Sequence, residues 1–167
     1  MTYNPSQIQS WLEEVSDPEI PVLSIMDMGI VRDIRIAEDA VEVVITPTYS
    51  GCPAMDAIAI DIKLKLAEHG ISKSTITYTL DPAWTTDWMT EEGKKKLKAY
   101  GIAPPMNKLG VNADRVKKLL FEEDTPPECP RCGSAHTKLL SQFGSTACKA
   151  LYQCEDCKEP FDYFKCH

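Results

Sequence analysis

Apolar residues recur at two spacings in the first hundred positions, one typical of helices and the other of strands. A short amphipathic helix is predicted by the spacing of Ile8, Trp11, Leu12 and Val15. The two prolines of the DPEIP segment, Asp17 to Pro21, exclude regular helix, so we predict a loop there. Alternation then predicts a β-hairpin, with Ile30, Ile34 and Ile36 on one strand and Val41, Val43 and Ile45 on the other.

A longer helix is predicted from Pro53 to about His69, where Gly70 ends it. Its main apolar stripe consists of Met55, Ile58, Ala59, Ile62 and Leu66. A second stripe lies on the opposite side and consists of Ala57, Ile60, Leu64 and Ala67. We therefore expect the helix to be covered on both sides, by the sheet on one side and by the first helix, the C-terminal module or a partner on the other.

Residues 74–80 alternate again and predict a third strand whose inward side chains are Ile76, Tyr78 and Leu80. Thr90 then caps a helix that is rich in lysine and ends before Gly101. Acidic residues precede these lysines and no aromatic residue separates them, which favours a solvated face over a nucleic-acid-binding patch. From Ile102 the pattern becomes irregular.

Four cysteines near the C-terminus stand in two CxxC pairs, Cys129 with Cys132 and Cys154 with Cys157. The 21 residues between the pairs are enough for a hairpin that brings them together. A tetrahedral set of four thiolates suits structural zinc first, and iron or an iron-sulfur cluster second. Four unligated thiols at this spacing are the less favoured alternative. We predict that His136 is a solvated strand residue and not a ligand.

Composition and charge narrow the class of protein. The 167 residues are 43% apolar, which suffices for a packed core. No run of about 18 apolar residues indicates a membrane span, and the N-terminus lacks the pattern of a signal peptide, so we expect a cytoplasmic protein without membrane attachment. Residues 1–125 carry 13 Lys and Arg against 20 Asp and Glu, and the remaining residues carry five of each. Neither part is basic, so nucleic acid is not an expected partner.

Cys52 stands at the predicted start of the long helix, within the segment TPTYSGCPAM. The positive end of a helix dipole lowers the pKa of a thiol, so we expect Cys52 to favour the thiolate that binds metal or attacks. A small buried apolar side chain is the alternative, and position alone leaves both open. No histidine or second cysteine stands nearby in the sequence, which argues against a cysteine-histidine hydrolase.

The order of motifs along residues 5–102 resembles the MIP18 family, also called the domain of unknown function 59. The motifs are DPEIP, MDMGIV, the hairpin, TPTYSGCPAM and DPAWTTDWMT. The resemblance implies a small α/β fold and a role in the assembly or transfer of iron-sulfur clusters. It also implies that Cys52 is the motif cysteine, with Asp17 and Glu19 as the acidic loop, so we expect these three residues to be transient ligands of iron or of a cluster.

We therefore predict an α+β fold with two domains. Residues 1–102 are expected to form a small three-stranded mixed sheet with packed helices, of the MIP18 type. A linker is predicted at residues 103–125, and a zinc ribbon at residues 126–167.

The C-terminal part resembles the D-subunit family of the phenylacetyl-CoA (ring-1,2-) epoxidase systems of bacterial phenylacetate breakdown. The shared stretches are CPRCGS, LLSQFGSTACKALYQC and CKEPFDYFKCH, with WTTDWM and YGIAPP before them. In such systems a di-iron oxygenase receives electrons from a reductase that carries flavin and an iron-sulfur cluster, and the D-type component assists maturation or assembly. The resemblance implies that the oxygenase or the reductase subunits are partners.

Two further thiols belong to the ribbon but not to its metal site. At about 3.3 Å per strand residue, Cys148 and Cys166 should each lie roughly 15 to 20 Å from the metal. The same geometry brings Cys148, Cys166 and His167 together at the far end of the ribbon. We hypothesise a second site of soft ligands there. The alternative is a packed cysteine beside the terminal residues.

Three functions compete on the sequence alone. The leading hypothesis is an accessory protein without catalytic residues, in which Cys52 binds iron or a cluster transiently and the ribbon holds structural zinc. The second is an electron-transfer or structural subunit of the epoxidase, with iron or a cluster on the four cysteines. The third is a scaffold that transfers no metal. Catalysis is not favoured, because the sequence shows no nucleotide-binding glycine loop and no serine-histidine or carboxylate-histidine set. The oligomeric state is left open.

Overall fold

The computed structural model describes residues 3–38, 40–106 and 125–165. The described residues form three α-helices, Pro5–Leu12 (α1), Ala54–Glu68 (α2) and Glu91–Tyr100 (α3). They also form seven strands, Val31–Ala37 (β1), Ala40–Ile45 (β2), Lys73–Tyr78 (β3), Ile102–Ala103 (β4), Thr137–Ser141 (β5), Lys149–Cys154 (β6) and Pro160–Phe164 (β7). These elements divide into two compact units, one up to Lys96 and one from Leu97 onward.

The first unit contains a three-stranded sheet in the order β1-β2-β3. Strands β1 and β2 are antiparallel and close at the pair Ala37 and Ala40, which confirms the predicted hairpin. Strand β3 runs parallel to β2, with Ile76 opposite Val43. A parallel return needs a crossover connection, and α2 lies in that connection. The sheet is therefore mixed, as predicted.

Helices α1 and α2 begin and pack as their sequences indicate. Asn4 caps α1 by accepting a hydrogen bond from the backbone N–H of Ser6, and Gln7 completes a capping box. In α2 the main apolar stripe is buried, and Ile58, Ile62 and Leu66 have no exposed surface. This stripe and the fully buried Val43 and Ile45 of β2 belong to the apolar core of the first unit.

Two sequence predictions concern buried faces. The second stripe of α2 is not covered within the first unit, because Ile60 and Leu64 are each 58% exposed, so cover by a partner stays a prediction. The prediction for the third strand is wrong, because Tyr78, the last residue of β3, and Leu80, two residues beyond it, were predicted to point inward but are 47% and 65% exposed. Strand β3 is an edge strand of the sheet formed by the described residues, so one of its sides has no neighbouring strand to cover it.

The MDMGIV segment contacts the stretch around Trp84 and Trp88 and the start of α3. A Cβ on Gly29, whose φ is +67°, would come within 2.5 Å of the Trp88 carbonyl oxygen, so only glycine allows this approach. The Trp84 indole N–H donates to the Met28 carbonyl at 2.9 Å. Asp27 contacts the Lys96 ammonium at 2.6 Å. Burial alone raises the pKa of Asp27, but Lys96 and the Ser24 amide outweigh burial and lower the pKa below its ordinary value.

The second unit contains a four-stranded sheet in the order β4-β7-β6-β5. The three long strands confirm the predicted ribbon, in which β6 is antiparallel to both β5 and β7. Strand β4 was not predicted; it pairs in parallel with β7, with Ile102 opposite Asp162. The predicted linker, residues 103–125, contains residues 107–124, which lie outside the described residues, so its extent stays a prediction.

In the described part of the chain, the helices are too short or too polar to span a membrane.

Candidate metal centre and the thiol before helix α2

The two CxxC pairs lie on two tight turns of the second unit. The Cys129 N–H donates to the Ser134 carbonyl at 2.8 Å, and the Cys154 N–H donates to the Glu159 carbonyl at 2.9 Å. Gly133 adopts a φ of +74°, a conformation that glycine adopts without strain, so the chain can reverse after Cys132. All four sulfur atoms lie within 4.8 Å of one another. The structure therefore brings Cys129, Cys132, Cys154 and Cys157 into one cluster.

The spacing of the four sulfur atoms fits a tetrahedral metal ion. The Sγ atoms of Cys129 and Cys157 are 3.8 Å apart, and those of Cys132 and Cys154 are 3.5 Å apart. A tetrahedron with metal–sulfur bonds of about 2.3 Å has edges of about 3.8 Å. Four thiolates this close repel one another strongly unless a cation lies between them. The donor set therefore fits a metal ion whose ligands are all supplied by the protein.

Hydrogen bonds within the cluster favour ionisation of some thiols over others. The backbone N–H of Cys157 donates to the Cys154 sulfur and is the main reason that the pKa of Cys154 is lowered to about 7. The Ser134 amide acts in the same direction on Cys132, but hydrogen bonds with the neighbouring sulfur atoms and burial outweigh it and raise the pKa of Cys132 to about 12. The thiols share protons until a metal ion replaces them.

His136 lies beside the cluster without belonging to it. Its Nδ1 atom is 3.2 Å from a carboxylate oxygen of Asp156, and its side chain is exposed. The Ser134 hydroxyl donates to the same carboxylate. These contacts tie the two turns together across the surface. The side chain is solvated as predicted, but His136 lies just before β5 and not in a strand.

Cys52 lies in the turn that leads into α2. Its backbone N–H donates to the Tyr49 carbonyl at 3.2 Å, and Gly51 before it has a φ of +83°. Burial raises the pKa of Cys52, and the carboxylates of Glu19 and Asp17 raise it further. Hydrogen bonds from the Ala54 amide and the Thr48 hydroxyl lower the pKa but do not compensate. The prediction that the thiolate is favoured at this helix start is therefore wrong, because burial and two negative charges outweigh the two hydrogen bonds that lower the pKa of Cys52.

The acidic loop approaches Cys52 although it lies more than thirty residues earlier in the sequence. Asp17 is held in place because its Oδ1 atom accepts hydrogen bonds from the N–H groups of Glu19 and Ile20, each at 2.8 Å. The Asp17 N–H donates to the Leu23 carbonyl at 2.9 Å, which closes the DPEIP loop. The two carboxylates are therefore near enough to Cys52 for their charges to act on its thiol. Among the described residues, however, only the four ribbon cysteines lie close enough together to bind one metal ion, so the role of Cys52, Asp17 and Glu19 as ligands stays a prediction.

Thr48 is a residue of this region that the sequence analysis missed. Its hydroxyl donates to the Cys52 thiol, and its side chain is buried. A hydroxyl residue four positions before the cysteine in TPTYSGC was the available signal. This spacing alone does not predict a contact between Thr48 and Cys52, because the contact depends on the geometry of the turn.

The proposed second thiol site falls only partly within the described residues. Cys148 is buried just before β6, and its Sγ atom lies 3.0 Å from the Thr146 hydroxyl oxygen. Cys166 and His167 lie outside the described residues. The predicted grouping of these three residues stays a prediction.

Alkylation of Cys52 should report its raised pKa. The thiolate is the reacting form, so we expect the rate with iodoacetamide to rise with pH through a midpoint above that of an unperturbed thiol. Glu19→Gln removes a nearby negative charge and should move the midpoint to lower pH. The rates are measured by mass spectrometry of the peptide that contains Cys52, and Glu13→Gln serves as an exposed control. A midpoint that is unchanged by Glu19→Gln would contradict the placement of that carboxylate.

Comparison with known families divides the chain into two matched regions. Residues 5–71 match the model of the iron-sulfur cluster assembly protein family, and residues 113–165 match the PaaD zinc beta ribbon domain. A crystal structure of the domain of unknown function DUF59 from Bacillus anthracis superimposes with a TM-score of 0.52 and 26% identity. That match covers 55% of this chain and 89% of the other.

Two curated relatives are similar in sequence. The "Fe-S protein maturation auxiliary factor" of Porphyromonas gingivalis (strain ATCC BAA-308 / W83) is 36% identical over 52% of this chain and 83% of its own length. An Escherichia coli (strain K12) protein, named as the D component of a "Putative 1,2-phenylacetyl-CoA epoxidase", is 46% identical over 96% of this chain and 92% of its own length. The chain therefore belongs to the D-subunit family of phenylacetyl-CoA epoxidases, in which an iron-sulfur cluster assembly domain of the MIP18 type precedes a zinc ribbon.

Proposed function

We propose that this protein is a non-catalytic accessory subunit that assists the loading of iron, or of an iron-sulfur cluster, into a phenylacetyl-CoA epoxidase. The recipient is the oxygenase or its iron-sulfur flavin reductase. The observation that supports this proposal is a cysteine at the start of α2, in the region that matches the iron-sulfur assembly family, whose thiol is within reach of the charges of Asp17 and Glu19. The relative that is named as an epoxidase component points the proposal to that complex.

The chemistry of the Cys52 region suits a cargo that is held briefly. The raised pKa keeps Cys52 protonated when no metal is bound, and the two carboxylates attract a cation. Binding of a ferrous ion forms an iron–sulfur bond and releases the thiol proton to solvent. When the recipient takes the iron, a proton returns to the sulfur. Competition between metal and proton keeps affinity moderate, which a carrier needs.

The four-cysteine cluster has a different part in this proposal. We assign it to zinc, because four protein ligands fill a tetrahedral site and leave no position for substrate or water. Zinc has no redox chemistry under these conditions, so the site would hold the turns of the ribbon together. Zinc-bound thiolates also do not exchange electrons with a neighbouring protein, which assigns the transfer chemistry to the first unit.

A second candidate function is electron transfer through iron on the same four cysteines. It is favoured by the donor set itself, since four thiolates also bind iron and iron-sulfur clusters. The two candidates differ in colour. Zinc tetrathiolate is colourless, whereas ferric thiolate or a cluster absorbs visible light.

Reconstitution tests the proposed function directly. Epoxidase subunits are produced in cells that lack this protein, and their iron content and epoxidation rate are compared with those from cells that produce it. We expect both quantities to rise when the protein is present, and addition of the purified protein with ferrous iron to the iron-poor subunits should restore activity. Equal iron content and equal rates in the two preparations would overturn the proposal.

A further inference from the structure

The side of α2 that faces away from the core presents apolar side chains to solvent. Ile60 and Leu64 lie one helical turn apart and are each 58% exposed. Ala57 and Ala67 extend the same face by one turn in each direction, and both are exposed. The large side chains of the opposite stripe, those of Met55, Ile58, Ile62 and Leu66, are buried, so the core of the first unit uses that side of the helix and not this second face. We call Ala57, Ile60, Leu64 and Ala67 the outer face of α2.

Further large apolar side chains are exposed near the start of α2. The Tyr78 hydroxyl donates to the Met55 carbonyl at 3.4 Å, so the Tyr78 ring lies beside the first turn of α2. Tyr78 is 47% exposed, and Leu80, two residues further along the extended chain, is 65% exposed. Large apolar side chains scattered singly over a surface are ordinary, but Ile60 and Leu64 are neighbours on one helix face, and an exposed apolar face of this kind marks an interaction site.

The flanks of the outer face carry a small excess of negative charge. Asp56 lies on one flank with Lys63, and Asp61 lies on the other flank with Glu68. Lys65 contacts Glu68 at 2.8 Å and Glu14 at 3.0 Å, so its charge is already shared between two acids. Asp56 and Asp61 form no ion pair with another described residue and are exposed. Among the described residues on these flanks, Lys63 is the one basic residue whose charge is not shared in this way.

These charges decide between two kinds of partner. A second copy of the chain would bring two outer faces together with their acidic flanks opposed, and like charges at an interface cost affinity. Residues 1–106 of each copy carry 9 Lys and Arg against 16 Asp and Glu, so the repulsion would extend beyond the flanks. A partner with an apolar patch surrounded by lysine and arginine meets both the apolar face and its acidic border.

We propose that the outer face of α2 docks the protein that exchanges iron with Cys52, through an apolar patch bordered by basic residues on that protein. This inference rests on the proposed function. Cys52 comes two residues before α2, and Ile60 lies about 9 Å along the helix axis from its first residue. A partner seated on the outer face therefore lies near the turn that carries Cys52, so the acceptor group is brought close to the cargo.

Binding measurements with a double variant test the docking surface. The purified oxygenase and reductase subunits are each titrated with the wild-type chain and with Ile60→Ser/Leu64→Ser. Loss of two central apolar contacts should weaken binding to one of these subunits by about tenfold or more. Both residues are exposed, so the variant should keep its thermal stability. Leu140→Ser, which alters an exposed leucine of β5, is the matched control and should bind like wild type.

A charge variant tests the nature of the partner. Asp56→Asn/Asp61→Asn should slow association at low salt and reduce the dependence of the affinity on ionic strength. Unchanged affinity of the apolar double variant for both subunits would overturn the proposal. So would sedimentation that shows a dimer of this chain dissociated by Ile60→Ser/Leu64→Ser, because the occupant would then be a second copy.

Cys52→Ser separates the failure of docking from the failure of iron transfer. We expect this variant to bind the partner with wild-type affinity, since the thiol lies outside the docking face. If Cys52→Ser leaves iron loading intact while the apolar double variant loses binding, the proposed function fails and the docking surface stands. If Cys52→Ser loses iron loading while the apolar double variant binds like wild type, the docking surface fails and the proposed function stands.

Discussion

Replacing Cys129 or Cys154 with serine is expected to unfold the C-terminal ribbon and to release its metal. The buried core cluster of this unit is small and includes both cysteines, beside Ala103, Ala150, Phe161 and Tyr163. A module with so few buried side chains depends on its metal for stability. Structural zinc contributes about 10 to 16 kcal/mol of apparent binding free energy in small domains. Whole domains are stable by only about 5 to 15 kcal/mol, so loss of one ligand should unfold the ribbon and not merely weaken it.

Metal analysis and circular dichroism together measure this outcome. The wild-type chain should contain one metal ion per molecule, and the serine variants should contain none and should lose strand signal. Cys148→Ser is the matched control, because Cys148 is a buried cysteine of the same unit that lies outside the metal cluster. Its loss of stability should be about 1 to 2 kcal/mol, with the metal retained. A Cys129→Ser chain that keeps a folded ribbon without metal would contradict the prediction.

The same preparation identifies the metal. A colourless wild-type chain with one equivalent of zinc supports the structural assignment. Replacement by Co²⁺ should then produce the visible absorption of a tetrahedral cobalt thiolate without loss of the fold, because the four sulfur atoms already have tetrahedral spacing. Visible colour in the chain as isolated, with iron in place of zinc, would favour electron transfer instead.

Elements with a strong local pattern could be predicted from the sequence. The hairpin and the helix after Pro53 each contain several apolar residues at one spacing, and the structure forms both. The two CxxC pairs predicted a metal site because their ligand spacing is local within each turn. The approach of the two turns to each other depends on tertiary structure, because the antiparallel strands between Cys132 and Cys154 bring the turns together.

Features that depend on contacts between distant segments could not be predicted. Strand β4 has only two residues, which are too few for any periodicity. It forms because its backbone pairs with the edge of β7. Alternation correctly marked β3 as a strand but not which face would be covered, so Tyr78 and Leu80 were placed on the wrong side. The pKa of Cys52 was predicted in the wrong direction because the dipole is a local effect, whereas burial and the acidic loop come from the fold.

The Cys52→Ser variant is expected to lose iron loading of the epoxidase by about tenfold or more while remaining folded. The substitution changes one atom and removes the thiolate, since a serine hydroxyl does not ionise near neutral pH and binds soft metal ions poorly. Cys52 belongs to a turn and is only half buried, so the cost in stability should stay below about 1 kcal/mol. The measurements are the iron content of the recipient protein and its epoxidation rate, after reconstitution with each variant.

Two matched variants make the Cys52→Ser result specific to the thiol. Cys148→Ser makes the same chemical change at a buried cysteine of the ribbon. Iron loading near the wild-type level in this variant would make the loss specific to Cys52 and would contradict the predicted second thiol site. Thr48→Val removes the hydroxyl that donates to the Cys52 thiol, and it should raise the pKa of Cys52 further and reduce loading by less than Cys52→Ser does. A scaffold that transfers no metal requires the opposite pattern, with epoxidase activity intact in Cys52→Ser. Because the acidic loop and Thr48 act on the same sulfur atom, the three variants together distinguish a metal-binding thiol from a cysteine that only fills space at the start of α2.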